Sequence, residues 1–378
     1  MNGYFYVLTA IDLFVLSFMC ILTKLSESLN KKQKQGFFFA FALIAVISVL
    51  EVVTLAVDGT PAGYRWLNIL SNYLGFGLSP GVCLCLVYVM DRKKRMNRWF
   101  RAAVCCEACY LLFLALSIPA GLVFSVSADN VYSRGQYFYI YIIMYFAAIV
   151  YLSVSTFVTA REFQNRSRAL IYPLMFFLLI ETIIQVTLPD LHVTWLCVTL
   201  LSVLYFIYCS EMWNQLDALT GLLNQNSYLN RTAEMRRRGG VLVVFDVDDF
   251  KQINDRYGHL SGDTALADAG SHLRGAFRKN DLVCRWGGDE FIVYCDDITQ
   301  ASLARRVGAL CGKPWTTKVR GDTSIELSAS AGVVLVPKQG TDFKTVYDRA
   351  DTALYRAKSQ GKAHFCFYDP GTPSPHAD

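Results

Sequence analysis

The sequence predicts an all-α bundle of seven membrane-spanning helices followed by an α+β domain, and three observations lead there. Hydrophobic residues make up 53% of the 378 residues, and the mean hydropathy of +0.31 is high for a water-soluble chain. The apolar residues concentrate ahead of residue 214, where seven segments approach the roughly 20 residues a helix needs to cross a bilayer. Charge divides the chain at about the same place. Residues 1–210 hold 15 Lys/Arg and 10 Asp/Glu, whereas residues 211–378 hold 21 of each. The net charge of +5 therefore belongs to the apolar part, which argues against a nucleic-acid partner for the polar part.

The apolar segments are 3–23, 36–57, 66–90, 102–127, 138–160, 170–188 and 195–213, and together they define an input unit over 1–213. The first has no basic leader and no small-residue cleavage site, so it reads as a retained helix. Gly75, Gly77, Pro80 and Gly81 predict a kink or break in the third. Loops 24–35, 91–101 and 161–169 carry four, six and three Lys/Arg, against one, one and none in loops 58–65, 128–137 and 189–194. That asymmetry puts the N-terminus outside and everything after the seventh span in the cytosol. Asp12, Glu51, Glu107 and Glu181 lie within spans, where an ionisable group faces the bundle interior, a cavity or an interface. Cys106-x-x-Cys109 has no second pair of ligands, so these cysteines read as small apolar side chains. Ser210 to Leu216 contains no Pro or Gly, so the seventh helix is expected to continue beyond the bilayer as a rod. No heptad run supports a coiled-coil stalk.

From residue 214 to 370 the pattern changes to short elements. Gly221 marks a tight connection into a helix starting near Asn224. Val241–Asp246 is an apolar run behind two glycines, hence a buried strand ending in a carboxylate. A first helix follows to about Gly258, and a second runs from about Gly262 to Phe277. Two β-rich runs, 281–285 and 291–295, flank Gly287-Gly288, which reads as a hairpin with both glycines at positive φ. A helix near 302–311, strands across 324–337, a helix near 343–359 and a strand at 363–368 complete an α+β order, and 371–378 reads as a disordered tail.

The hairpin presents Asp289 and Glu290 beside a bare backbone, a place for a phosphate or a metal ion. Asp246 would lie beside Asp289 if their strands pair. Carboxylates meet phosphates through a hard cation such as Mg²⁺, which takes oxygen ligands. No Gly-x-x-x-x-Gly-Lys-Ser/Thr occurs, which excludes P-loop phosphate binding.

Five blocks stand in order: Asp217-x-Leu-Thr-Gly-Leu-x-Asn224, Asp246-x-Asp-x-Phe-Lys-x-x-Asn-Asp-x-x-Gly-His-x-x-Gly-Asp263, Gly287-Gly-Asp-Glu-Phe291, Ser328-x-Ser-x-Gly332-Val and Ala350-Asp-x-Ala-Leu-Tyr-x-Ala-Lys358. With them, residues 215–368 resemble the GGDEF family of diguanylate cyclases. The resemblance implies a nucleotide-cyclase-like palm with a mostly antiparallel sheet flanked by helices. It implies condensation of two GTP into cyclic di-GMP plus pyrophosphate by a head-to-head homodimer. The implied metal ligands, for two Mg²⁺ or Mn²⁺ per site, are Asp246, the Val247 carbonyl, Asp289 and Glu290. Asp289, Glu290 and Lys251 are the implied catalytic residues. Asn254, His259, Asp263, Lys358 and Lys362 are implied to bind the nucleotide, and Arg278 with Asp281 to form an inhibitory site for the product. A bacterial cytoplasmic membrane, with the catalytic domain in the cytosol, is the implied location.

The sequence departs from the family at two places. Gln225-Asn226 replaces a basic pair, and Lys362-Ala363 stands where Arg-Asn is commoner, so the bidentate fork of arginine is lost. Two alternatives remain. One is a catalytically silent domain that binds GTP or cyclic di-GMP and regulates a membrane receptor. The other is a transporter or receptor with a nucleotide-sensing regulatory domain.

Overall fold

The structure is a computed structural model that describes residues 3–90, 97–162, 193–235, 239–296, 298–319, 323–338 and 342–371, with scattered positions between 172 and 187. It divides into Met1–Trp213 and Asn214–Asp378.

The first unit holds α1 (Gly3–Leu25), α2 (Lys31–Val57), α3 (Arg65–Met90), α4 (Arg98–Ser117), α5 (Tyr139–Glu162) and α6 (Thr194–Asn214). Among the described residues, six helices are long and apolar enough to cross a membrane. Most of the expected sixth span, with Glu181, lies outside the described residues. So do residues 92–95 of the second basic loop, residues 163–169 of the third and the tail 372–378.

Local chemistry explains several boundaries. α2 begins five residues earlier than the apolar run because Asn30 and Gln33 form a capping box: each side chain accepts the other's backbone N–H, at 3.0 and 2.9 Å. α3 is continuous through Pro80, contrary to the expected break. The Phe76 carbonyl, which a proline N–H cannot serve, instead accepts the Tyr110 hydroxyl at 3.4 Å. The fourth span does not reach residue 127. It ends at Ser117, because Pro119 lacks an N–H to extend it, and β1 (Phe124–Val126) then pairs with β2 (Tyr132–Arg134). Buried Asn68 donates to Asp58 and Asn130 and so ties this hairpin to the α2–α3 connection.

The expected rod beyond the seventh span is also absent, since α6 stops at Asn214. The Asn224 side chain donates to the Asn214 carbonyl at 2.7 Å, Leu216 bridges to Leu223, and Asp217 closes the loop by accepting from the Thr220 N–H and hydroxyl.

The second unit has α7 (Gln225–Met235), β3 (Gly240–Val247), α8 (Phe250–Tyr257), α9 (His259–Ala276), β4 (Leu282–Gly287), β5 (Glu290–Cys295), α10 (Gln300–Cys311), β6 (Trp315–Lys318), β7 (Ser324–Leu327), β8 (Ala329–Val336), α11 (Phe343–Ser359) and β9 (Phe365–Phe367). The main sheet has the order β4-β5-β3-β8-β9, antiparallel except for the β8–β9 pair, while β6 and β7 form a separate hairpin. β3 is central and buried from Val241 to Val247, as its continuous apolar run requires. One face of the sheet packs Val243, Phe245, Phe291 and Val293 against Leu266, Leu273 and Val307 of α9 and α10. α11 covers β3 and β8 on the sheet. α9 starts at His259, earlier than the expected Gly262, and β6 is an element the sequence pattern did not reveal.

Candidate active site

β3 and β5 pair with Phe245 opposite Phe291 and Asp246 opposite Glu290. Directly opposed residues share a face, so the two carboxylates leave the sheet on the same side. Asp289 follows in the turn, where its main-chain oxygen accepts the Val247 N–H at 3.3 Å. The expected neighbourhood of Asp246 and Asp289 is therefore present, with Glu290 as the residue directly across. The turn differs from the expected Gly-Gly pair. Gly287 belongs to β4 and pairs with Glu290, so Gly288 and Asp289 form the turn, and only Gly288, at φ +51°, is left-handed.

An arginine that the sequence reading passed over holds this turn. Arg285 donates from Nε and Nη2 to the Gly288 carbonyl at 3.1 and 2.8 Å, and from Nη1 to both carboxylate oxygens of Asp217 at 3.3 Å. The forked guanidinium thus links the turn to the loop that opens the domain. Its position just before the turn was the one signal available.

α11 lays two side chains on the acidic pair. Lys358 Nζ is 2.8 Å from Asp246 Oδ2, and the Tyr347 hydroxyl donates to Glu290 Oε2 at 3.2 Å. The Tyr347 ring packs on Trp286 and Phe343, with centroids 5.4 and 6.0 Å away. Tyr347 was not foreseen, because a helical tyrosine reads as core until its partner is known. Burial pushes the Asp246 carboxyl up to about 6; Lys358 works against this, and the charges of Asp289 and Glu290 add to it. Glu290 is also raised, first by burial, with the Tyr347 hydrogen bond opposing and Asp351 and Asp289 reinforcing.

Asp246, Asp289 and Glu290 offer only hard oxygen donors, the set that suits Mg²⁺ or Mn²⁺. Among the described residues, no group of three His, Cys, Asp or Glu converges closely enough to hold a metal ion in this arrangement. The Lys358 ammonium is the positive charge against Asp246 here. The donor chemistry fits a divalent cation, and the mutual repulsion of buried Asp246 with half-buried Asp289 and Glu290 supplies the demand for one.

A pH dependence follows for the metal-free protein. The folded Asp246 carboxyl keeps its proton above the roughly 3.9 of an unfolded aspartate. Its contribution to stability is full below pH ~4 and is lost as pH rises through about 6, on a scale of roughly 1–3 kcal/mol. In EDTA, the urea midpoint of the unit from Asn214 onward is expected to fall between pH 4.5 and 7. Asp246→Asn should flatten that fall, and an unchanged slope in the variant would remove the assignment.

Of the expected nucleotide-binding residues, Asn254, His259 and Asp263 lie along α8 and α9, as does Lys251, expected as catalytic. Lys251 is exposed in the first turn of α8, and His259 and Asp263 are exposed one turn apart on α9. A Cβ at Gly262 would lie 2.0 Å from Asn254 Oδ1, so the glycine makes room for that side chain and brings Asn254 against α9. Lys362 does not join the Asp246 cluster. Its Nζ is 2.8 Å from Asp249 Oδ1, in an exposed pair. Asp248, unassigned from sequence, is 6% exposed and accepts from the Ser328 and Ser330 hydroxyls at 2.8 and 2.7 Å and from the Ala363 N–H at 3.1 Å. It fixes the ends of β3 and β8 and the loop before β9.

That loop is strained, because Lys362 and Ala363 sit at φ +63° and +50°. A left-handed alanine costs about 1–2 kcal/mol, whereas the asparagine commoner in the family tolerates this region. Ala363→Gly is expected to raise the urea-derived stability by roughly 0.5–1 kcal/mol, after allowing for the greater freedom of glycine in the unfolded chain. A loss of stability would contradict this backbone reading.

Arg278 and Asp281 share a turn: Asp281 Oδ2 accepts the Arg278 N–H at 2.7 Å. Asp281 is only 5% exposed and also faces Arg306, with Nη1 at 3.8 Å. Its carboxylate therefore holds the turn together, while Arg278 is exposed.

Comparison with known proteins agrees with this geometry. Residues 214–364 match the family described as "Diguanylate cyclase, GGDEF domain". The chain is 32% identical over 158 residues to the cyclic di-GMP phosphodiesterase PdeR of Escherichia coli K12, covering 41% of this chain and 24% of that protein. It is 36% identical over 157 residues to the diguanylate cyclase DgcP of Pseudomonas aeruginosa, covering 39% of this chain and 23% of that one. This chain thus spans about a quarter of the length of these two relatives. Among solved structures, the isolated GGDEF domain of TpbB (YfiN) from Pseudomonas aeruginosa is 32% identical, covering 42% of this chain and 96% of that one with a TM-score of 0.39. Residues 214–364 are thus a GGDEF domain, and a set of long apolar helices precedes it.

Proposed function

We propose that this protein is a membrane-anchored diguanylate cyclase that condenses two GTP into cyclic di-GMP and pyrophosphate. The register that sets Asp246 opposite Glu290, with Asp289 in the adjoining turn, is the observation that carries this reading. Asp246, the Val247 carbonyl, Asp289 and Glu290 would hold two Mg²⁺ or Mn²⁺. Bound there, the metal supplies charge neutralisation at the α-phosphate and a lowered pKa for the attacking 3′-hydroxyl. Tyr347 keeps the Glu290 carboxylate oriented. Lys251 stabilises charge developing on the phosphates. Asn254, His259 and Asp263 hold the nucleoside, and the carbonyl and carboxylate oxygens of Asn254 and Asp263 suit the N1–H and N2–H donors of guanine. Lys358 and Lys362 take the terminal phosphates, Lys358 by exchanging Asp246 for the nucleotide. One domain binds one GTP, so the active form is a homodimer.

The charge asymmetry of the loops supports insertion in the bacterial cytoplasmic membrane with the GGDEF domain in the cytosol. Arg278 anchors cyclic di-GMP as a product inhibitor, in a turn shaped by Asp281. Arg278→Ala is expected to weaken inhibition by cyclic di-GMP at least about tenfold, given an arginine–phosphate contact of about 1.5–3 kcal/mol. Unchanged inhibition would remove that role.

Expression of the full chain in a bacterium devoid of cyclic di-GMP tests the cyclase reading. The nucleotide should accumulate with the native protein and not with Asp289→Asn. No accumulation from a folded, membrane-inserted protein would favour the silent, ligand-binding alternative.

A further inference from the structure

The membrane unit contains a second constellation of oxygens, unrelated to the acidic pair of the GGDEF domain. Asp12 of α1 is 1% exposed, Ser48 of α2 is 2% exposed and Thr199 of α6 is fully buried. Asp12 lies nine residues from the start of α1, and Ser48 lies nine residues from the end of α2. At 1.5 Å per residue both are ~14 Å from those helix ends, well inside a hydrocarbon layer ~30 Å thick.

A buried carboxylate at such a depth requires compensation. The Ser48 hydroxyl supplies part of it by donating to Asp12 Oδ2 at 2.5 Å. The other oxygen, Oδ1, has no hydrogen-bond partner among the described residues, and neither does the Thr199 hydroxyl. Thr199 nonetheless faces the same carboxylate, as does Glu51, one helical turn beyond Ser48. The Thr199 hydroxyl thus stands beside the Asp12 carboxylate, close enough to interact with it but not in full hydrogen-bond geometry. No Lys, Arg or His pairs with Asp12 among the described residues. A proton on Asp12 satisfies one oxygen at a time. A small metal cation draws several oxygens to itself at once, and carboxylate and hydroxyl oxygens are the ligands that hard cations prefer.

We propose that Asp12, Ser48 and Thr199, with Glu51 at the margin, form a sodium-class monovalent cation site joining α1, α2 and α6. One cation of single charge balances the one fully buried carboxylate. The site ties the first two helices to the last described helix of the bundle, so its occupancy sets how firmly these three pack. The assignment does not depend on the cyclase reading, because it is tested by cation binding alone.

The experiment is thermal unfolding of the full chain in detergent, in NaCl and in choline chloride at equal ionic strength. Sodium should raise the Tm saturably, by ~4 °C or more at saturation. Asp12→Asn and Thr199→Val should each abolish that difference. Ser48→Ala should shift the half-saturating concentration upward at least about fivefold and leave a plateau. If Asp12→Asn does not fold, Thr199→Val still decides the question. Equal melting of the native chain in the two salts would overturn the proposal. So would a sodium shift retained in Thr199→Val.

Discussion

Asp289→Asn is expected to leave the domain folded and to lower cyclic di-GMP synthesis by about 1,000-fold or more. Asp289 sits in the β4–β5 turn, where its main-chain oxygen accepts the Val247 N–H. The substitution keeps that bond and the size of the side chain, and removes one negative charge from the cluster. The acidic pair across β3 and β5 would still be present, but the charge that completes a divalent-cation site would not. Loss of one preorganised electrostatic partner costs on the order of 100–1,000-fold, and weaker metal binding adds to it. The check has three readouts: unfolding temperature, Mg²⁺ titration and rate. A rate within tenfold of the native one at saturating Mg²⁺ would show that Asp289 is not a ligand. A collapsed Tm would show that its role is structural.

Gly332→Ala is expected to abolish stable folding of the GGDEF unit. A Cβ at this position would lie 1.9 Å from the Ala350 carbonyl oxygen and 2.4 Å from the Leu354 nitrogen. Both atoms belong to the backbone of α11, so no side-chain rotation relieves the clash. β8 lies next to the central strand, with Gly332 opposite Val244 of β3, and α11 packs directly upon it. Separating helix from sheet would also withdraw Lys358 and Tyr347 from Asp246 and Glu290. Ordinary overpacking costs about 1–3 kcal/mol, and a backbone clash exceeds that. The expected loss is at least about 4 kcal/mol, comparable with the whole stability of a domain. Circular dichroism and proteolysis of the variant read it out, and a Tm within a few degrees of the native value would contradict the packing.

The second prediction rests on how α11 meets the sheet, which the sequence revealed only in part. β3 and the paired runs around Gly287-Gly288 were legible because buried strands and glycine turns have local causes, as does the helix over 343–359. Asp246 and Asp289 were legible as a pair because strand pairing is the natural fate of two such runs. Their partners were not. Nothing local tells Tyr347 from a core tyrosine, or assigns the Arg285 fork to the Gly288 carbonyl, because each contact depends on the packing of distant segments. The inward turn of Asp281 was hidden for the same reason: Arg306, 25 residues on, completes it. In the first unit, hydropathy found the six described apolar helices but overran the fourth. An apolar run continues through Phe124–Val126, and only the pairing with Tyr132–Arg134 reveals a strand there.

The central claim is that the carboxylates brought together by β3 and β5 serve the joining of two GTP. Its most direct test is incubation of the purified full chain, reconstituted in a lipid bilayer, with GTP and Mg²⁺, with the products resolved by chromatography and mass. The account predicts one cyclic di-GMP and two pyrophosphates for every two GTP consumed, dependent on Mg²⁺ and lost in Asp289→Asn. A reconstituted protein that binds GTP but forms no cyclic di-GMP, at concentrations where it is dimeric, would contradict it.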